Sequence, residues 1–275
     1  MSEAIIRLQE VDPRILYLLM FIVISIPLLR PIGLPISISQ ETKSLYDFIE
    51  KNVKPGSVVV MDSDMSPSTA VECLPQFIAV TRHLAEKGAR IIFIASRAVG
   101  VQFIEITMKE VFGGGPEHPD YGKKFVNLGY RPGGSVGLRS FAEDVYYMKT
   151  DVYGNDLTKL PIMEGVKNAA DFTLYCVATG SAVDGYVMLI TDPYGTPVGG
   201  LCTAVLASRV YPYWPEKVVG FLIGLRGGAE YELLIGKPGR AVAAMDAQSL
   251  GHMLIIVFVV LGNIGYFYSS RRRKQ

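Results

Sequence analysis

Cysteine and histidine are scarce in this chain of 275 residues, with three of each. Cys73, Cys176 and Cys202 are an odd number without metal-ligand spacing, and His83, His118 and His252 are scattered, which argues against a zinc site. No serine–histidine–carboxylate set and no cysteine–histidine pair stands at a readable spacing. Net charge is lacking too: 27 Lys+Arg against 26 Asp+Glu leaves +1. Such a chain has no global field to draw in nucleic acid, and no nucleic-acid partner is expected. There is no internal repeat and no low-complexity tract, and no A-x-A cleavage site follows the first apolar run.

What the chain has in excess is apolar surface, 49% of residues, and two segments supply much of it. The first, ILYLLMFIVISIPLL from Ile15 to Leu29, is bracketed by Arg14 and Arg30. At 1.5 Å per residue it reaches about 22 Å, short of the roughly 30 Å hydrocarbon core. Snorkelling arginines and the following PIGLPISI lengthen it. A retained transmembrane helix over 15–36 is expected; the alternatives are a cleaved signal peptide or a buried helix. The second, SLGHMLIIVFVVLGNIGYFYSS from Ser249 to Ser270, has no formal charge when His252 is neutral. Tyr266, Phe267 and Tyr268 form an aromatic belt beside Arg271, Arg272, Arg273 and Lys274, the pattern of a spanning helix with a basic stop.

Two spans imply a two-pass protein of the cell membrane with both termini cytoplasmic. The expected order is a cytoplasmic N-terminus at 1–14, a span at 15–36, and an extracytoplasmic α/β domain at 40–235. A long helix at 239–270 containing the second span follows, and a basic tail at 271–275 ends the chain. The C-terminal basic cluster sets this orientation. Arg7 and Arg14 agree with it, while Arg30 and Lys43 oppose it.

Between the spans, strand and helix signals alternate. SVVVMD (57–62), RIIFIAS (90–96), KFVNLGY (124–130), DFTLYCVATG (171–180) and TPVGGLCTAV (196–205) read as buried strands. FIAVTRHLAEKGA, VGVQFIEITMKEVFGGG and GSVGLRSFAEDVYYM read as helices. SAVDGYVMLITDPYG is ambiguous, DVYGNDLTKLPIMEG (151–165) reads as an irregular insertion, and VVGFLIGL (218–225) as core. Strands apolar throughout and separated by helices predict a mostly parallel sheet covered on both faces. The expectation is a Rossmann-like doubly wound α/β structure of about five strands. Cys176 and Cys202 then lie in neighbouring strands as buried thiols. YPYWP (211–215) is either an aromatic contact to headgroups or a rigid loop packed on the domain.

In such sheets ligands sit outside the carboxyl ends of the strands. The first strand ends at DSDMS, the second at Ser96 and Arg97, the third at YRPGGS and the fourth at ATGS. The D-x-D of Asp62 and Asp64, with Ser96 after the second strand, resembles the opening of haloacid-dehalogenase-type phosphotransferases over about 40 residues. That resemblance implies a nucleophile at Asp62, an acid/base at Asp64, a phosphoryl-holding hydroxyl at Ser96 and a bridging Mg²⁺. Ser66 stands where that family has Thr or Val, and no acidic pair closes a later strand for the metal. The plain reading is that Asp62 ends the strand while Asp64 or Ser66 caps the next helix. GYRPGGSVG is the best anion cradle: Gly133 and Gly134 allow close backbone approach, Ser135 caps, and Arg131 adds charge. Thr179, Gly180 and Ser181 offer a similar turn at the fourth strand, and tight strand-to-helix turns choose the same letters.

Gly239, Ala243, Ala247 and Gly251 recur every fourth residue, a small-residue stripe that lets helix backbones approach. It would contact another copy, the first membrane helix or the chain's own domain. The reading that covers most of these features is a membrane-anchored binding or assembly module, a scaffolding subunit in contact with the lipid bilayer and forming a homo-oligomer. The alternatives are a phosphatase-like enzyme, for which alone Mg²⁺ is expected, and a small-ligand sensor using the strand-end loops.

Overall fold

In a computed structural model the described residues are 12–272. Arg7, Arg273 and Lys274, and with them most of the expected N-terminal segment and basic tail, lie outside these residues, as do the side chains of Tyr268, Arg271 and Arg272. The described residues form two compact units, residues 36–237 and residues 12–35 with 238–272.

The larger unit opens with α2 (Gln40–Asn52; α1 belongs to the smaller unit). Then β1 (Val58–Asp64), α3 (Pro67–Glu86), β2 (Arg90–Ala95), α4 (Gly100–Phe112), β3 (Phe125–Tyr130) and α5 (Gly134–Glu143) alternate. After an irregular insertion come β4 (Leu174–Thr179), a helical stretch α6 over 184–194, β5 (Val198–Cys202), β6 (Val218–Ile223) and α7 (Gly224–Leu234). The strands form one parallel sheet in the order β3-β2-β1-β4-β5-β6. The sheet has six strands rather than the expected five or so. The sixth is VVGFLI, read from the sequence only as core: it is too short to announce itself, and the glycine-rich α7 behind it lacks a clear amphipathic rhythm.

Both sheet faces are buried, which is why the strands are apolar throughout. On one face Val59, Met61, Ile91, Phe93, Leu174 and Leu222 pack with Leu45, Phe77, Ile104 and Tyr231 of the helices. On the other Val60, Ile92, Ile94, Val126 and Val177 pack with Leu138 and Phe141 of α5, Ile190 of α6, and Ile162 and Phe172 of the insertion. Gly220 is needed where α2 crosses β6: a Cβ there would lie 2.2 Å from the Leu45 backbone nitrogen. Helix α3 starts earlier than its apolar pattern, with Pro67 at its first position and Pro75 inside it. Ser66 is its cap: Ser66 Oγ accepts from Thr69 N–H and Thr69 Oγ1 accepts from Ser66 N–H. Asp64 is therefore not the cap. Cys73, Cys176 and Cys202 are free and buried. The aromatic loop packs on the sheet, with Tyr211 and Trp214 both edge-on to Phe221.

The smaller unit pairs α1 (Pro13–Leu29) with α8 (Arg240–Arg272). Residues 240–267 of α8 are long and apolar enough to cross a membrane. Helix α1 has 17 residues, about 25 Å, and ends at Leu29, so PIGLPISI adds no helical length toward the expected boundary at 36. A Cβ on Gly251 would lie 3.7 Å from Ile24 Cγ1 and 3.9 Å from Met20 Sδ, so this part of the small-residue stripe faces α1 of the same chain. Ala243 and Ala247 are buried as well. Asp246 accepts the backbone N–H groups of Ile32 (2.7 Å), Gly33 (2.8 Å) and Leu34 (3.0 Å), which ties the segment after α1 to α8.

Candidate functional site

The strand order reverses direction between β1 and β4, and it is there, at their carboxyl ends, that an open parallel sheet leaves a crevice. A cleft of about 200 Å³ lies at this point. Its walls come from the carboxyl ends of four successive strands: Asp64 at the end of β1, Ser96 after β2, Arg131, Gly134 and Ser135 after β3, and Ser181 after β4. Leu138 of α5 and Tyr186 and Leu189 of α6 complete it, with Ala182 and Gly185 at the α6 side. Larger concavities on the 113–119 loop and around residues 158–165 take no residue from the carboxyl ends of the strands.

Beneath the cleft lies a polar network in the core. Asp62 is fully buried. Its Oδ1 accepts from the Ser96 N–H (3.0 Å), and its Oδ2 accepts from Ser96 Oγ (2.7 Å) and the Tyr175 hydroxyl (2.6 Å). Ser96 Oγ in turn accepts from Arg131 Nη2 (2.5 Å) and the Tyr186 hydroxyl (3.0 Å). The Arg131 guanidinium is 2% exposed and 4.0 Å from Asp62 Oδ2; its Nη1 donates to Gly134 O (2.6 Å) and its Nε has no protein partner. Burial pushes the Asp62 carboxyl above its ordinary value, against the pull of the Arg131 charge and the hydroxyls of Tyr175 and Ser96. Burial likewise raises the phenols of Tyr175 and Tyr186 well above theirs.

At the mouth, Asp64 accepts from Arg97 Nε (2.7 Å) and Thr179 Oγ1 (2.6 Å). Arg97 Nη2 also donates to Ser181 Oγ (2.7 Å), and Arg209 Nη1 to Ser181 O (3.2 Å).

Of the residues singled out by sequence, Asp64, Ser96, Arg131, Gly134, Ser135 and Ser181 meet at the cleft. Thr179 is buried and turned to Asp64, and Gly180 serves packing, since a Cβ there would lie 2.4 Å from Thr69 Cγ2. Gly133, with φ +94°, is the residue before α5 and not part of the wall; it holds the cap position expected of Ser135, which lies inside the helix and does not cap it. Sequence reasoning passed over Tyr175, Tyr186 and Leu189. Tyr175 carried a usable signal, a phenol hydroxyl inside a buried strand. Tyr186 and Leu189 sit in the ambiguous 181–195 stretch, where a π-helical turn (Val187–Thr191) breaks the 3.6 rhythm.

The Mg²⁺ implied by the phosphotransferase resemblance does not fit this donor set. Asp62 is sealed below the cleft by three hydrogen bonds, and Asp64 is neutralised by Arg97. Among the described residues no three His, Cys, Asp or Glu side chains gather as metal ligands. A second polar cluster joins His83 to the Tyr231 hydroxyl (2.7 Å) and Glu50 Oε1 (2.8 Å); Glu50 is exposed, and none of the three lines the switch-point cleft.

The fold and site thus define a doubly wound parallel α/β unit with a polar cleft at its switch point. No protein-family model, no curated protein and no solved structure matches this chain.

Proposed function

We propose that the protein is a membrane-held binding module whose α/β unit takes a small ligand in the switch-point cleft. The observation that carries this reading is the convergence of charged and hydroxyl side chains from the carboxyl ends of four strands on one opening. A cleft of about 200 Å³ is smaller than the usual drug-sized pocket and suits a small metabolite. Membrane attachment is supported by the length and apolarity of α8 and by the exposed Leu18, Phe21, Ile22, Ile256, Val259 and Phe267 on the two helices. In the full proposal both helices span the bilayer, the termini are cytoplasmic and residues 40–235 are extracytoplasmic. Cysteine labelling in intact cells at exposed engineered positions of that unit tests the orientation; labelling only after permeabilisation would reverse it.

Gly185 provides the test of the cleft. Gly185 lines the cleft and a Cβ there meets no atom within 4 Å, so Gly185→Phe is the variant expected to fill the cleft and keep the fold. Thermal-shift screening of the full chain in detergent with pooled small metabolites should give a stabilising hit in wild type that Gly185→Phe loses. A hit that survives in the filled variant would put the ligand elsewhere. The scaffolding reading, with Gly239, Ala243, Ala247 and Gly251 against another copy, draws less support because Gly251 lies against α1 of its own chain and Ala243 and Ala247 are buried.

A further inference from the structure

We infer that the ligand of this cleft is a tetrahedral oxyanion, free phosphate or a phosphate monoester, held between Arg131 and the amino end of α5. The inference rests on the binding role proposed for the same cleft and adds the chemical class. Two independent features point to it. Helix α5 begins directly at the wall: Gly133 and Gly134 both have positive φ (+94° and +54°), and the first intrahelical bonds run from Val136 and Gly137 back to Gly133 O. The amides of Gly134 and Ser135 precede those bonds, at the positive end of the helix dipole. Separately, Arg131 lines the cleft, is 2% exposed, and keeps one donor, Nε, without a protein partner. A buried donor left unsatisfied is costly, and a ligand oxygen satisfies it.

The geometry also chooses between oxyanions. A carboxylate is best held by two parallel donors of one guanidinium. Here both Nη atoms already donate, to Gly134 O and Ser96 Oγ, which fixes the plane of the guanidinium, and Nε is the one nitrogen without a protein partner. A phosphate, whose oxygens point in several directions, instead takes single donors from several sides: Arg131 Nε, Ser135, the α5 amides and Ser181. Asp64 also lines the cleft, but Arg97 neutralises it at 2.7 Å. Asp62 lies below the cleft and lines none of it.

The test uses the full chain in detergent or nanodiscs at matched ionic strength. The probes are inorganic phosphate, glycerol 3-phosphate and nanodiscs containing phosphatidic acid, with acetate and phosphatidylcholine nanodiscs as controls. Saturable binding by calorimetry is expected for at least one phosphate probe, and which of the three binds tells free phosphate, soluble ester and lipid headgroup apart. Ser135 is exposed, so Ser135→Ala should stay folded and bind roughly tenfold more weakly. Arg131→Gln should abolish binding; if that variant does not fold, Ser135→Ala alone decides. Acetate binding as tightly as phosphate, or phosphate binding unchanged in Ser135→Ala, would overturn the inference. If no phosphate probe binds while a pooled metabolite still gives a shift that Gly185→Phe removes, the anion class falls and the cleft reading stands. If neither appears, both fall.

Discussion

The buried hydroxyl of Thr179 donates to Asp64 Oδ2 across 2.6 Å, at the point where β1 and β4 run out of sheet. Asp64 has a second partner, Arg97, which is 44% exposed. The two contacts have unequal worth. An exposed ion pair is screened and contributes at most about 1 kcal/mol. A buried hydrogen bond to a charged acceptor contributes about 1.5–3 kcal/mol, and its loss leaves the carboxylate short of a partner. Thr179→Val should therefore lower the thermal stability of the full chain more than Arg97→Ala does. The reverse order would make the ion pair the stronger tie.

Asp62 gives stability a pH dependence of defined sign. Burial raises its folded-state pKa above the ordinary 3.8, opposed by Arg131 and by hydrogen bonds from Tyr175 and Ser96, with Asp64 adding a like charge. Tyr186, which also reaches Ser96 from α6, stays neutral. A folded acid that holds its proton longer than the unfolded one stabilises the fold fully at low pH. That contribution is lost as pH rises from about 4 through the raised value. Asp62→Asn should flatten this limb in thermal unfolding measured from pH 4 to 8. An unchanged slope in the variant would assign the dependence to other groups.

Gly220→Ala should be among the most damaging single-methyl additions to this chain. The new Cβ would meet Leu45 backbone atoms at 2.2 and 2.6 Å, and backbone cannot swing aside as a side-chain tip can. The expected cost is about 3 kcal/mol, a large share of a typical total of roughly 5–15. Gly114→Ala, where the nearest atom lies at 3.8 Å, is the control and should stay within about 0.5 kcal/mol of wild type. Equal melting temperatures for the two variants would contradict the close approach of α2 to β6.

In the helix pair, Gly251→Ala should be tolerated and Gly251→Leu should not. The first puts a methyl at ordinary contact distance from Ile24 and Met20, whereas the second adds three carbons that α1 must move to admit. Lower thermal stability of Gly251→Leu at unchanged particle mass in detergent is the expected result. A drop in mass would instead assign the stripe to contacts between copies.

Much of the α/β unit was legible because a strand buried on both faces is an unbroken apolar run, as in VVVMD and RIIFIA. The sixth strand was not, since VVGFLI had no amphipathic helix beside it to set the alternation. At the site, Asp62, Asp64, Ser96 and Arg131 could be read as strand-end residues, but their partnerships could not. Tyr175 reaches Asp62 because Val60 is paired with Tyr175 in the parallel register, placing the ring one pleat below the carboxylate on the same face. Register is a property of two strands more than a hundred residues apart, and no local pattern in either encodes it. The cap was half legible: both Asp64 and Ser66 suit the role, and the reciprocal bond with Thr69 selects Ser66.

The irregular insertion divides the chain in a way that makes the cleft a seam. Strands β1, β2 and β3 precede it and β4, β5 and β6 follow it, and the two sets meet in the sheet at β1 and β4 alone. Nicking the chain at the exposed Thr158–Lys159 or Glu164–Gly165 bond would yield two fragments of three parallel strands each. They interlock, because α2 of the first lies on β6 of the second. Arg131 and Ser135 sit on one fragment and Ser181 and Tyr186 on the other. A molecule held between them would act as an adhesive, so reassembly of the two fragments should tighten with its concentration, and fragment complementation becomes a readout of occupancy that needs no knowledge of a reaction.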